Sequence, residues 1–173
     1  MQQRRIHLTG ASGSGTSTLG RSLAARVGCP VFDADDYYWV PTRPPFTTKR
    51  APADRWSLLC TALHDAGSSW VLSGSAVGWA ADLDRLFTLI VFLEAPTAVR
   101  VERLRRRELD AYGHVDEDFL DWAARYDSGD ESMRSRARHE TWLRQQTCPV
   151  LRLDSTRSTD VLVGAVLRAV EHP

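Results

Sequence analysis

The chain has 173 residues, of which 43% are hydrophobic, and this is enough for one domain, residues 1–173, with a substantial core. Its formal net charge is zero, so composition gives no support for binding to nucleic acid or to a membrane surface. The three cysteines are far apart and contain no C-x-x-C pair, which argues against a zinc site or a disulfide framework. No apolar signal segment precedes the first strand and no apolar run reaches about 18 residues, so we expect a soluble, cytoplasmic protein.

The first elements are a short strand over 6–8, a glycine-rich turn and a helix over 17–27. The turn fits the phosphate-loop template G-x-x-x-x-G-K-[ST] at every position except the lysine. Backbone N–H groups and the positive end of the helix dipole then surround an anion. A simple strand-to-helix turn is the structural alternative. We predict that these residues bind the nucleotide: Gly10, Ala11, Ser12, Gly13, Ser14, Gly15, Thr16, Ser17 and Thr18.

Thr16 stands where the template has lysine, and this is the main departure of the loop. The usual lysine bridges the β- and γ-phosphates and follows the transferred group, whereas a threonine hydroxyl carries no charge. Either another cation takes this place or the protein binds nucleotide without efficient transfer. Because Lys49 is the only lysine among 22 basic residues, the substitute cation would be an arginine, whose planar fork also suits phosphate.

A second strand over 30–32 leads into a cluster of aspartates and aromatic residues. A carboxylate there can accept the proton of an attacking hydroxyl, or hold the water shell of Mg²⁺ together with Ser17. A solvated acidic loop is the alternative. Tyr38 and Trp39 could stack on a flat acceptor, although core packing is their more ordinary use. Prolines predict a loop over 40–52, and a helix over 53–66 follows.

The remaining chain continues to alternate strands and helices. Strands are predicted over 70–72, 87–93 and 150–153, and helices over 96–109, 119–126, 131–146 and 159–170. Such alternation predicts an α/β fold with a parallel sheet covered by helices on both faces. Ligands of these sheets lie at the carboxyl ends of the strands. We therefore note Gly74, where a ligand could approach closely, and Arg157, where a nucleotide base could lie.

The helix over 96–109 is rich in arginine. Arg100, Arg103 and Arg107 have the spacing of one helix face and could form a cationic ridge that points to one place. A second basic cluster comprises Arg134, Arg136 and Arg138, and solvated surface arginines are the alternative for both sets. Either cluster could reach a γ-phosphate when a flexible lid closes.

Taken together, these motifs resemble the adenylate-kinase-like branch of P-loop kinases, in particular bacterial proteins described as topology modulation proteins or as adenylate or uridine kinases. The resemblance covers most of the chain and rests on the loop over 10–18, the run from Asp35 to Pro41 with Trp39, and the strands over 70–74 and 87–93. It implies a P-loop NTPase sandwich with five parallel strands in the order 2-3-1-4-5, and a lid at about 107–135. Thr16 and Ser73, which stands where many relatives have aspartate, depart from the pattern by removing charge.

The resemblance also implies ATP, or GTP, as donor with Mg²⁺. In this reading Asp35 orients the acceptor or acts as the base, Ser17 and Asp35 bind the metal, and Arg103 and Arg107 neutralise charge in the transition state. The predicted acceptor site comprises Asp33, Tyr38, Trp39 and Gly74. The acceptor itself would be a nucleoside or nucleoside monophosphate. A nucleotide-binding module with little catalysis and a kinase of a non-nucleotide metabolite are the alternatives, and the oligomeric state is open.

Overall fold

The structure is a computed structural model and describes residues 3–171. Five strands lie in this range: β1 (Arg4–Gly10), β2 (Val31–Asp33), β3 (Ser69–Ser73), β4 (Leu89–Glu94) and β5 (Val150–Asp154). The first helices are α1 (Thr16–Val27), α2 (Ala34–Tyr38), α3 (Pro52–Asp65) and α4 (Ala81–Asp84). The later helices are α5 (Thr97–Tyr112), α6 (Glu117–Ala124), α7 (Arg136–Arg144) and α8 (Thr159–Glu171), and a 3-10 turn (Arg125–Asp127) follows α6.

All five strands are parallel and lie in the order β2-β3-β1-β4-β5, which confirms the predicted fold and strand order. In the register of the sheet, Leu8 pairs with Ser73 and Gly10 pairs with Leu93. The ends of the central strands are therefore level, and the loops that follow them share one edge of the sheet. The predicted phosphate loop and the predicted acidic cluster both begin at this edge.

Apolar side chains cover both faces of the sheet, as the nearly continuous hydrophobic strands predict. On one face, α1 and α8 pack through residues such as Leu23 and Val166, neither of which has measurable solvent exposure. On the other face, α3 and α7 pack through Leu59 and Trp142 around the fully buried Leu72. The packing on both sides makes the sheet a rigid support for its carboxyl edge.

The helix boundaries differ from the predictions where polar caps intervene. The predicted start of a helix near Glu131 is wrong, because α7 begins at Arg136 after the N-cap Ser135, whose Oγ accepts a hydrogen bond from Arg138 N at 3.1 Å. In contrast, α5 runs three residues beyond its predicted end and stops where Gly113 adopts φ 73°. The residues between α2 and α3 form the predicted loop, with one isolated bridge between Trp39 and Lys49.

The segment predicted as a lid contains the end of α5, the whole of α6 and the 3-10 turn. Its helices pack on one another through a small apolar cluster that includes Leu104, Leu120 and Ala123. This cluster is separate from the two that cover the sheet. Within residues 3–171, no helix combines the length and the apolar character needed to cross a bilayer.

Candidate active site

The glycine-rich loop joins β1 to α1 with the geometry that an anion site requires. Gly15 is the N-cap of α1 and has φ 91°, and Gly13 has φ 80°, so both use backbone conformations that favour glycine. A Cβ on Gly13 would lie 2.5 Å from the backbone oxygen of Arg100, which shows how closely α5 approaches the loop. The first N–H groups of α1 have no acceptor within their own helix and point toward the loop.

Three arginines from distant parts of the chain donate hydrogen bonds to carbonyl oxygens of this loop. Arg134 Nη2 lies 2.8 Å from Gly10 O. Arg100 Nη1 lies 3.4 Å from Ser12 O, and Arg103 Nη1 lies 3.4 Å from Gly13 O. These contacts bind the carbonyl side of the loop to protein donors and help to define its conformation.

Arg100 does not form the predicted cationic ridge with Arg103 and Arg107. Its side chain is 1% exposed and donates to Asp127 Oδ2 at 2.8 Å, to Thr97 Oγ1 at 3.0 Å and to Ala123 O at 3.2 Å. With so many of its donors bound to protein acceptors, Arg100 has a structural role between α5, the 3-10 turn and the loop. The prediction of a ridge of three arginines is therefore wrong for Arg100.

Arg103 and Arg107 lie on the same helix but contact different parts of the molecule. Arg103 Nη2 donates to Ser155 O at 2.8 Å and so connects the loop to the segment after β5. Arg107 is exposed, donates to Glu108 Oε1 at 3.2 Å, and lies with Cζ 5.8 Å from the centroid of the Phe119 ring. The positive charge of Arg107 nevertheless acts to lower the pKa of Asp35. Their predicted contacts with phosphate stay predictions.

The carboxylate that contacts the phosphate loop directly is Asp33, at the end of β2. Its Oδ2 accepts from Ser17 Oγ at 2.6 Å and from Ser73 Oγ at 3.4 Å. Its Oδ1 accepts from Asp35 N at 3.1 Å as the N-cap of α2. The pairing of a loop hydroxyl with a carboxylate supplies the oxygen ligands that Mg²⁺ prefers, so these residues fit the ion that the fold implies.

Asp35 is an accessible carboxylate with an altered acidity. Its side chain is exposed, but the surrounding protein removes part of its hydration, which is the largest cause that raises its pKa above the ordinary value. The neighbouring charge of Asp33 raises the pKa further, while Arg134 and Arg107 oppose the shift. A solvent-accessible carboxylate with a raised pKa beside the phosphate loop is suited to accept a proton from a bound hydroxyl.

Aromatic rings and an arginine surround Tyr38, one of the residues predicted to bind the acceptor. The Tyr38 ring lies with its centroid 6.2 Å from the centroid of Trp79, and Arg55 Cζ lies 4.0 Å from the centroid of the Tyr38 ring. The Trp39 ring packs edge-on against both Tyr38 and Phe46, with ring centroids 4.9 Å and 6.0 Å apart. Gly74 has φ 96°, and a Cβ there would lie 3.0 Å from Ala34 Cβ. Close packing of the loop after β3 therefore accounts for this glycine.

The sequence interpretation did not select Arg55 or Trp79. Arg55 lies in the first turn of α3, whose sequence shows only a proline start and a helical pattern. Trp79 lies in the connection between β3 and α4, whose function had no local signal. Both come near Tyr38 only because the chain returns to the same edge of the sheet. Their order along the chain contains no such information.

At the opposite side of the loop, the segment after β5 forms a turn. Thr156 Oγ1 and Thr156 N both donate to Asp154 Oδ1, at 2.7 Å and 2.9 Å. Arg157 is exposed and its backbone N donates to Asp154 O at 3.2 Å. The predicted contact of Arg157 with a nucleotide stays a prediction. The turn itself lies beside the phosphate loop, because Arg103 donates both to Ser155 O and to Gly13 O of the loop.

A buried histidine connects the elements around the site. His139 is 1% exposed, and its Nδ1 lies 2.7 Å from Tyr126 Oη. Its Nε2 lies 3.4 Å from Thr9 Oγ1 and 3.3 Å from Ser75 Oγ. One imidazole thus joins the strand before the phosphate loop, the loop after β3 and the end of the predicted lid. Burial, reinforced by the charge of Arg134, lowers the pKa of His139 to about 3.

We expect this histidine, with the buried His7, to make folding sensitive to acid. Burial lowers the pKa of His7 to about 4, whereas an imidazole in the unfolded chain titrates near 6.5. The unfolded state therefore takes up protons that the folded state cannot, and the stabilisation that is present above pH 6.5 is lost as the pH falls toward about 4 and then 3. Each histidine should contribute up to about 1.4 kcal/mol per pH unit to this loss.

Urea unfolding at several pH values between 7.5 and 5 measures the slope of the free energy of unfolding against pH. His139→Gln should flatten it, because the glutamine does not titrate. His114→Gln is the matched control, since His114 is exposed and should leave the slope unchanged. Equal slopes for His139→Gln and the wild-type protein would contradict the assignment.

Comparison with known proteins agrees with this architecture. Residues 6–119 match the family model described as "AAA domain". The uncharacterized protein YqaC of Bacillus subtilis is 40% identical over 175 residues, with 95% of this chain and 96% of that protein covered. A dephospho-CoA kinase of Parasynechococcus marenigrum is 42% identical over 83 residues, which cover 48% of this chain and 33% of that enzyme. The shikimate kinase of Bacteroides thetaiotaomicron superposes over 98% of this chain and 99% of its own, with 20% identity and a TM-score of 0.59.

Proposed function

Because the chain belongs to the AAA domain family and has a kinase-like P-loop fold, we propose that it transfers the γ-phosphoryl group of ATP, with Mg²⁺, to a nucleoside or nucleoside monophosphate. The observation that carries the proposal is the connection of the phosphate loop to Asp35 through Asp33. Asp33 bonds to Ser17 of the loop and to the backbone of Asp35, so the donor phosphates and the accessible carboxylate share one site. Transfer of a phosphoryl group requires this proximity.

In this proposal, Asp35 orients the acceptor. Where the acceptor reacts through a hydroxyl, Asp35 accepts its proton as the hydroxyl oxygen bonds to the γ-phosphorus and the bond from that phosphorus to ADP breaks. Where a monophosphate reacts through a phosphate oxygen, that oxygen is already ionised and no proton has to be removed. Backbone N–H groups of residues 11–16 bind the phosphate oxygens, and Arg107 adds positive charge near Asp35. Ser17 and Asp33 would hold Mg²⁺, which neutralises charge on the donor phosphates. In this proposal Asp33 binds the metal, in addition to the contact with the acceptor that the sequence analysis predicts for it.

The acceptor side supplies the argument for the substrate class. Tyr38 and Trp79 offer aromatic surface for a base, and Arg55 offers a guanidinium for a phosphate. Arg138 Nη2 lies 3.7 Å from the position that a Cβ on Gly78 would take, so a second guanidinium lies beside the connection that carries Trp79. Aromatic surface together with two arginines suits a nucleoside monophosphate.

One contact favours a second acceptor class. Arg55 lies 4.0 Å from the centroid of the Tyr38 ring, so the guanidinium already occupies one face of that ring. A base could stack there only if Arg55 moved. A small hydroxylated metabolite with a carboxylate or phosphate would instead bind Arg55 in place and would not need the ring face.

Release of ADP in the presence of ATP and Mg²⁺ separates these alternatives when it is measured with a panel of acceptors. The panel contains nucleosides, nucleoside monophosphates and hydroxylated carboxylic acids. Release that depends on a monophosphate supports the proposal, and release that depends only on a hydroxy acid supports the second class. Binding of ATP with the same low background for every acceptor would overturn transfer and favour a nucleotide-binding module.

Arg55→Met provides a direct control on the acceptor side. The variant keeps much of the apolar contact with Tyr38 but removes the positive charge. For an anionic acceptor, we expect a rise of about 10-fold or more in KM with little change in the affinity for ATP. An unchanged KM would remove Arg55 from the acceptor site.

A further inference from the structure

Because the loop lysine is missing, another residue must supply the positive charge that binds the terminal phosphate if the site transfers phosphate. Thr16 is half-buried at the first position of α1 and supplies no positive charge. A substitute cation must reach the mouth of the phosphate loop from another element. It must also keep donors free for phosphate oxygens, and it must lie close to the carboxylates on the acceptor side.

Several arginines near the loop do not meet these conditions. Arg100 is buried and donates to protein acceptors through all three of its nitrogens. Arg103 donates to both the backbone and the hydroxyl of Ser155. Arg136 is paired with Asp127 at 2.9 Å and with Glu94 at 2.6 Å. Arg100 and Arg136 are each paired with a carboxylate, and both terminal nitrogens of Arg103 already donate to protein acceptors.

Arg134 meets the conditions. Its Nη2 donates to the carbonyl oxygen of Gly10, the first residue of the loop, at 2.8 Å. Among residues 3–171, its buried Nε has no hydrogen-bond acceptor, so donor capacity remains. Burial lowers the pKa of its guanidinium, and the charges of Asp35 and Asp33 oppose this shift, so both carboxylates act on Arg134.

The backbone beside Arg134 is also well held. The next residue, Ser135, is fully buried and caps α7 through its hydrogen bond with Arg138 N at 3.1 Å. One turn further, His139 contacts Thr9 of β1. The side chain of Arg134 therefore starts from a fixed point on the protein, which lowers the entropic cost of binding a phosphate.

We propose that Arg134 performs the role of the absent loop lysine and binds the terminal phosphate oxygens of ATP from outside the loop. The inference rests on the proposed function in that both use the same donor site. It differs from the sequence interpretation, which assigns the neutralisation of charge in the transition state to Arg103 and Arg107. It also accounts for the tolerance of Thr16 in the loop, since a lysine there would place two cations together.

The first test compares the affinities of ATP and ADP, measured by calorimetry with Mg²⁺ and without any acceptor. Arg134→Ala should weaken ATP binding by about 10- to 100-fold, as expected for the loss of a charge-assisted hydrogen bond to phosphate, and should weaken ADP binding less. Arg144→Ala is the control, because Arg144 is an exposed arginine of α7 that bonds to Thr141 of the same helix. Equal small losses for Arg134→Ala and Arg144→Ala would overturn the proposal.

The second test introduces lysine into the loop in two backgrounds. Thr16→Lys should lower ATP affinity when Arg134 is present, because the two charges repel. In Arg134→Ala, the same substitution should restore at least a large part of the lost affinity. If Thr16→Lys has the same effect in both backgrounds, the two positions act independently and Arg134 is not the substitute.

Two further measurements separate a lost role from a lost fold. Arg134→Met keeps the length of the side chain, and its thermal unfolding reports whether the protein is folded. Free guanidinium at millimolar concentration should partly restore ATP binding to Arg134→Ala and should have no such effect on Arg144→Ala. These readouts need no acceptor, so a failure to find phosphoryl transfer would overturn the proposed function without deciding the role of Arg134.

Discussion

Replacement of Asp35 by Asn should lower phosphoryl transfer to a hydroxyl acceptor by about 10²- to 10⁴-fold, the usual contribution of a positioned general base. Asparagine has nearly the same shape as aspartate but cannot accept the proton of the acceptor hydroxyl. The affinity for ATP should change little, because Asp33 rather than Asp35 bonds to the phosphate loop. The measurement is kcat/KM for the acceptor identified in the panel.

Asp35→Asn should lower the activity without lowering the stability of the protein. The surroundings of Asp35 raise its pKa, which means that they disfavour the ionised form. Removal of this charge should therefore leave the unfolding temperature unchanged or raise it. A large loss of stability would show instead that the carboxylate supports the fold.

Asp36→Asn is a matched control for this prediction. Asp36 is the next residue, is exposed, and also has a raised pKa, of which partial burial is the largest cause. The carboxylate that accepts from Ser17 of the loop is that of Asp33. We expect activity within about twofold of the wild-type protein; a loss equal to that of Asp35→Asn would point to the acidity of the cluster as a whole. The acid limb of the rate profile should also lie above the ordinary value of an aspartate in the wild-type protein and should be lost in Asp35→Asn. Asp36→Asn should keep this limb but move it to lower pH, because the charge of Asp36 contributes to the raised pKa of Asp35.

Replacement of Arg100 by Met should destabilise the protein by about 3 kcal/mol or more, because the buried guanidinium donates several hydrogen bonds and each hydrogen bond of a charged group contributes about 1.5–3 kcal/mol. The guanidinium is 1% exposed and bonds to Asp127, Thr97, Ala95 O and Ala123 O. Methionine fills part of the volume but satisfies none of these acceptors. The free energy of unfolding in urea measures the loss.

Arg106→Met on the same helix is the control, because Arg106 is exposed. Its change should lie within about 0.5 kcal/mol, as for most surface substitutions. A loss below about 1 kcal/mol for Arg100→Met would indicate that water replaces the guanidinium in its contacts and that Arg100 is not a structural centre. ATP affinity should fall as well, since Arg100 also bonds to Ser12 O of the phosphate loop.

Local patterns by themselves determined the fold and the place of the donor site. Strands with apolar residues on both faces alternate with helices, and this pattern predicts a parallel sheet with helices on each side; the strand order implied by the resemblance is the observed one. The phosphate loop is also a local feature, because its glycines, its strand and its helix are contiguous in the chain. The absence of lysine at Thr16 was visible in the same stretch.

Only the tertiary structure decided which distant side chains complete the site. Arg100 and Arg103 look alike in the sequence, yet one is buried among carbonyl and carboxylate oxygens and the other connects the loop to Ser155. Likewise, the sequence could not distinguish Arg134 from its neighbours Arg136 and Arg138. The contact of Arg134 with Gly10 O depends on the packing of α7 against the sheet. This packing brings together residues that are more than 120 positions apart in the chain. Helical spacing indicates which face a residue shares with its neighbours, whereas the partner of that face depends on how the whole chain folds.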